Sequence, residues 1–106
     1  MYAINKEDFF QLDCADLTIP ERYQLLIEGI VPRPIAWVST ISLSGIPNLA
    51  PFSFFNAVCS NPPTLLFCPV YHPDGREKDT LANIRETKEF VVNVASENLV
   101  TALNST

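Results

Sequence analysis

Residues 33–56 read RPIAWVSTISLSGIPNLAPFSFFN, and the fold turns on how this stretch is read. It is the most apolar and aromatic part of the chain, and Arg33 is its only charge. Small polar residues (Ser39, Thr40, Ser42, Asn48, Ser53, Asn56) are interleaved among the large apolar ones. Polar groups in a core-like segment need partners. Neighbouring backbone could supply them, as in a barrel core with satisfied hydroxyls. A ligand with an apolar body and polar edges could also supply them. The run 35–42 is rich in β-branched and aromatic residues and predicts a strand. Ile35, Trp37, Ser39 and Ile41 share one face; Ala36, Val38, Thr40 and Ser42 share the other. Both faces are largely apolar, so both are expected to be covered, with Trp37 in the core. Leu43-Ser44-Gly45 signals a turn. The return run, 49–59, is again strand-like, with a break expected at Pro51, whose nitrogen cannot donate to a ladder.

On the N-terminal side, Val31-Pro32-Arg33-Pro34 forces extended backbone. Before it, residues 18–30 predict a short helix. Thr18 and Glu21 have capping-box spacing, and Pro20 falls in the first turn. Tyr23, Leu26, Ile27 and Ile30 form one stripe that should be buried, and Gly29 is the expected stop. Residues 1–17 hold a small apolar patch, Phe9, Phe10 and Leu12, read as an arm packed on the core.

On the C-terminal side, Asn61-Pro62-Pro63 is a second break and 64–70 a short buried strand. Pro73-Asp74-Gly75 marks a turn in a polar loop. Asp79 is expected to cap a helix running to about Lys88, with Leu81 and Ile84 inward. Residues 89–95 predict a fourth strand. Residues 96–106 look like another helix, with Ser96 as its cap and Leu99 and Leu103 inward. Hairpin-like strands with peripheral helices point to a mainly β protein, an antiparallel sheet or barrel, and not to a parallel α/β sheet.

The chain has 106 residues, enough for one domain, and its hydrophobic share of 47% is that of a globular protein. A net charge of −5, with scattered Lys and Arg, argues against a nucleic-acid surface. The cysteines are Cys14, Cys59 and Cys68, an odd number with no CxxC pair, so a reducing compartment is favoured over a disulfide framework. The acidic start (Glu7, Asp8, Asp13, Asp16) is unlike a signal peptide. No apolar run approaches the roughly 18 residues of a membrane span. A cytoplasmic protein is expected, with neither membrane nor nucleic acid among its partners.

Two places could carry chemistry. At Lys78-Asp79-Thr80, a helix N-terminus, a cation and a hydroxyl would suit a phosphate. Asp79 opposes this if its carboxylate caps the same N–H groups. The second place is residues 33–56, where hydroxyls and freed backbone could line a cleft for a flat, polar-edged ring. His72 and the Cys68/His72 spacing form no convincing catalytic or zinc constellation. Arg33 fits a structural ion pair and an anion contact equally well.

Taken together, PRPIAWVST, G-x-PN-x-APFSFFN and KDTLANI followed by EFVVNV resemble the flavin reductase-like family of FMN-binding split barrels. The resemblance covers residues 18–106. It implies an antiparallel split β-barrel with peripheral short helices, a homodimer, and FMN in a groove near the dimer interface. It also implies a role for particular residues. Ser39 and Thr40 would lie at the isoalloxazine edge. Asn48, Ala50, Pro51, Phe52 and Ser53 would line the ring and ribityl side. Lys78, Asp79 and Thr80 would hold the phosphate, with Arg33, Asn56 and Arg76 as weaker extensions. No metal and no catalytic side chain is implied. The implied activity is NAD(P)H:flavin reduction, with hydride passing to flavin N5. The alternatives are an electron-transfer flavoprotein without a nicotinamide site and a non-enzymatic flavin-binding or structural barrel. Family members are longer, so residues 1–106 are expected to form one domain lacking its C-terminal side, completed by further chain or by a second polypeptide.

Overall fold

The computed structural model describes residues 10–106. The chain divides into two compact units, Met1–Pro32 and Arg33–Thr106. Phe9, Glu7 and Asp8 lie outside the described residues; Phe10 is exposed.

The first unit holds a 3-10 turn, Cys14–Asp16, and helix α1, Ile19–Gly29. The predicted capping box is present. The Thr18 hydroxyl accepts from the Glu21 N–H at 3.4 Å, and the Glu21 carboxylate accepts from the Thr18 N–H at 2.8 Å. Donation to the Glu21 carboxylate from the Thr18 hydroxyl, at 2.7 Å, and from the Thr18 N–H holds that carboxyl below the ordinary glutamate range. The stripe behaves differently from expectation. Only Ile27 is half-buried, while Tyr23, Leu26 and Ile30 are exposed. Helical periodicity marks which face is apolar. It does not supply the surface that would cover that face.

The second unit is built on strand β1, Ala36–Ile41, the centre of a three-stranded antiparallel sheet. On one side lies β2, Pro47–Phe52; on the other lies β5, Val91–Asn93. Strands β3, Phe55–Ser60, and β4, Pro63–Phe67, form a separate hairpin. Gly45, at φ 83°, makes the β1–β2 turn in a left-handed conformation that costs little without a Cβ. The expected break at Pro51 is corrected here. Pro51 stays in the ladder opposite Trp37, and the break falls at Ser53 and Phe54. Because β2 is an edge strand, the missing proline N–H can face away from the ladder.

Ala36, Val38 and Phe52 form the buried centre. Phe55 and Phe67 of the hairpin pack against it, with Ala50 and Val92 at its margin. The rings of Phe52 and Phe67 lie 5.2 Å apart and tilted. Trp37 is buried on the opposite sheet face, and its indole N–H donates to the Thr106 hydroxyl at 3.0 Å. Ile35 and Ile41 on that face stay half open to solvent, so it is covered only in part.

Helix α2 spans Asp79–Thr87 and ends at Lys88 in a left-handed conformation, φ 62°. Its cap position is Lys78 and not Asp79. Its most buried residues are Thr80 and Asn83; Leu81 and Ile84 are half-buried. The sequence reading placed only apolar residues inward, and the structure adds two polar ones whose partners lie on the sheet. The predicted strand 89–95 shortens to the three residues of β5. The C-terminal segment is a 3-10 turn, Glu97–Leu99, followed by helix α3, Val100–Asn104. Ser96 makes no capping bond and its hydroxyl turns to Asn98. Leu103 is buried but Leu99 is 38% exposed. The sheets do not close into a barrel: β2 and β5 are the edges of one, and β3–β4 is a hairpin by itself.

Candidate functional site

The predicted residues fall on the two faces of the β1–β2 pair. Register sets this division. Val38 sits opposite Ala50 and Thr40 opposite Asn48, on the face that carries α2. Ser39 sits opposite Leu49 and Trp37 opposite Pro51, on the other face. Thr40, Asn48, Ala50, Phe52, Lys78 and Thr80 therefore come together, while the side chains of Ser39 and Pro51 do not join them. Ser53 lies in the gap after β2, where its hydroxyl accepts from Arg33 Nε at 3.4 Å. Arg33 also stands 5.9 Å from the centre of the Phe54 ring. Asn56 is exposed on β3, opposite Leu66.

Helix α2 meets the sheet through two amide-to-hydroxyl bonds. The Asn48 amide donates to Thr80 Oγ1 at 2.9 Å, and the Asn83 amide donates to Thr40 Oγ1 at 3.0 Å. Thr80 is 1% exposed, Thr40 7% and Asn83 8%. Burial at that level makes an unpaired amide or hydroxyl costly, which is why these groups find one another. No buried side-chain polar atom among the described residues lacks a partner.

The N-terminus of α2 remains available. No side chain caps it. The Lys78 carbonyl accepts from Leu81 and Ala82, so the N–H groups of Asp79 and Thr80 precede the first intrahelical bond. Lys78 is half-buried, its ammonium lies 5.4 Å from the centre of the Phe52 ring, and it makes no ion pair among the described residues. The neighbouring cations are engaged. Arg76 pairs with Asp74 at 2.6 Å, and Arg85 with Glu77 at 3.1 Å. The Arg76 pair holds the Asp74 carboxyl below its ordinary range. Asp79 is exposed and its carboxylate does not occupy the helix N–H groups.

On the other face lies an open concavity of about 640 Å³, lined by Trp37, Ser39, Leu49 and Asn93 among others. The Asn93 amide donates to the Ser39 hydroxyl at 3.1 Å and to the Trp37 carbonyl at 3.0 Å. Sequence pattern alone does not single out Asn83 or Asn93. Asn83 carried a usable signal, since it lies three residues after Thr80 and so on the same helix face. Asn93 carried none beyond its place in a strand-like run.

Comparison with known proteins gives the family of the chain. Residues 28–106 match the flavin reductase like domain, and the chain belongs to that family. It is 53% identical over 77 residues to an uncharacterized protein of Aquifex aeolicus, covering 73% of this chain and 39% of that one. Nitrilotriacetate monooxygenase component B from Bacillus cereus superposes with a TM-score of 0.81 at 36% identity, covering 91% of this chain and 47% of that one. The 2-nitrobenzoate 2-nitroreductase NbaA of Pseudomonas fluorescens superposes with a TM-score of 0.75 at 34% identity, covering 90% and 45%. This chain therefore spans less than half the length of those three proteins. The fold is the split-barrel fold anticipated from the sequence, present as a part of the barrel and not as a closed one. No helix among the described residues is long and apolar enough to cross a membrane.

Proposed function

We propose that this chain is the FMN-holding part of an NAD(P)H-dependent flavin reductase. The observation that carries the reading is Lys78, a cation without a counter-ion among the described residues, at the uncapped N-terminus of a nine-residue helix. That end fits a phosphate on three counts. It offers positive charge, two N–H groups ahead of the first helical bond, and the Thr80 hydroxyl, which accepts from Asn48 and keeps its own proton to donate. Membership of the flavin reductase like family supports flavin as the bearer of that phosphate.

In this reading Lys78, Asp79 and Thr80 hold the phosphate. Thr40 meets the ring edge together with the Ser39 backbone, the Ser39 side chain lying on the other sheet face, and Asn48, Ala50, Pro51, Phe52 and Ser53 line the ring and ribityl side, largely through backbone. A bound flavin supplies the hydride-accepting chemistry. The chain supplies an apolar wall, polar edges and anchorage, and no side chain acts as acid or base. Nicotinamide as the donor, FMN in place of FAD, homodimer formation, a single cytoplasmic domain and completion of the barrel by a further stretch of polypeptide all belong to the same proposal.

Titration with FMN and with riboflavin, which lacks the phosphate, tests it. Lys78→Ala should weaken FMN about tenfold, the worth of one charge-assisted contact, and riboflavin less than about twofold. Equal loss for both ligands rejects the phosphate role. Protein that binds no FMN and oxidises neither NADH nor NADPH with FMN added rejects the reductase reading altogether.

A further inference from the structure

Helix α2 is held on the sheet by two bonds of opposite direction. One amide comes from the sheet, Asn48 to Thr80; the other comes from the helix, Asn83 to Thr40. The two sheet residues face each other across β1 and β2, and the two helix residues are three apart on one helix face. Apolar contacts are non-directional and permit a helix to slide or roll by small amounts. Hydrogen bonds are directional. One such bond fixes a point; two, spaced along the axis, also fix the roll of the helix about that axis. All the heavy burial on α2 lies at Thr80 and Asn83, so the helix is registered on the sheet by this pair.

We propose that Asn83 is a positioning residue for the phosphate end of the site. Its bond to Thr40 locks the roll of α2 and so aims Lys78 and the N–H groups of Asp79 and Thr80, without Asn83 itself touching the ligand. This rests on the flavin reading above. Asn83 sits four residues beyond Asp79, in the helix body. Its effect on a ligand at the N-terminus is therefore exerted through the helix.

The test compares FMN with riboflavin, by flavin fluorescence quenching, on the unmodified chain and on two variants. Asn83→Ala removes the donor; Asn83→Leu removes it while keeping the branched shape of the side chain, so that a second variant is available. Circular dichroism confirms the fold of each. Both variants are expected to weaken FMN about tenfold, the effect of one lost buried hydrogen bond, and riboflavin less than about twofold. A residue that merely stabilised the fold would weaken both ligands together. That result, or no change for either ligand in a folded variant, overturns the proposal and leaves the flavin reading standing. An unmodified chain that binds FMN no better than riboflavin overturns the phosphate reading and this proposal with it.

Discussion

Helices α1 and α2 reverse each other. α1 carries strong local signals, with a complete capping box, a proline in its first turn and an apolar stripe, yet it buries none of its residues. α2 has no side-chain cap and closes on a lysine with positive φ, yet it buries Thr80 and Asn83 against the sheet. Local signals decide where a helix starts and stops. What holds a helix to a sheet is decided by partners far away in sequence. In α2 those partners are polar, and its first N–H groups are left without a side-chain cap.

The comparison can be broken hardest at Thr80. Thr80→Val keeps the shape but leaves the half-buried Asn48 amide without its acceptor. The expected cost is about 1 kcal/mol in denaturant unfolding, the net worth of one hydrogen bond whose donor keeps some access to water. A loss below a few tenths would mean that apolar packing alone seats α2.

A more local effect is expected in α1. Thr18→Ala should cost about 1 kcal/mol, as for other N-cap removals, and the loss should be confined to Ile19–Gly29. Hydrogen exchange should show faster amide exchange there and none of the increase in β1. A global loss would mean that the two units unfold as one.

The mildest test is pH. The folded Glu21 carboxyl titrates below its unfolded value because it accepts from Thr18. Its contribution is therefore complete above the unfolded value and fades as pH falls through the folded one. Acidification through the carboxylate range should increase fraying of the first turn of α1, again by hydrogen exchange, and Glu21→Gln should abolish that dependence. Since Glu21 is solvated, the change should stay local.

How much was legible follows from the range of each interaction. Thr18 and Glu21 are neighbours in sequence, so the box between them could be read directly. The alternation of 35–42 named the two faces of β1 and the Gly45 turn was legible, whereas the register of β1 with β2 came from the structure. Pro51 misled because a proline breaks a central strand but not an edge, and edge status is a property of the sheet. Asp79 misled because Asp is a good cap by type, whereas the backbone placed Lys78 at the cap position. Asn83 stayed hidden because a polar residue on a helix is ordinarily solvated. Only the presence of Thr40 across the interface, 43 positions away, makes its burial tolerable.

The sequence by itself determined the strand pair in 33–56, the turn between its strands, the helix beginning beside Lys78, and membership of the flavin reductase like family. These are properties of local spacing and residue type. Only the tertiary structure decided which hydroxyls remain available and which are taken. Thr40 and Thr80 each accept an amide proton from the opposite element and so keep only their own hydroxyl proton to donate, whereas the Lys78 ammonium, lying near an aromatic face, is left without a counter-ion among the described residues. The physical reason is that a buried polar group must be paired, and the residue that pairs it is fixed by register and packing, which no short stretch of sequence contains.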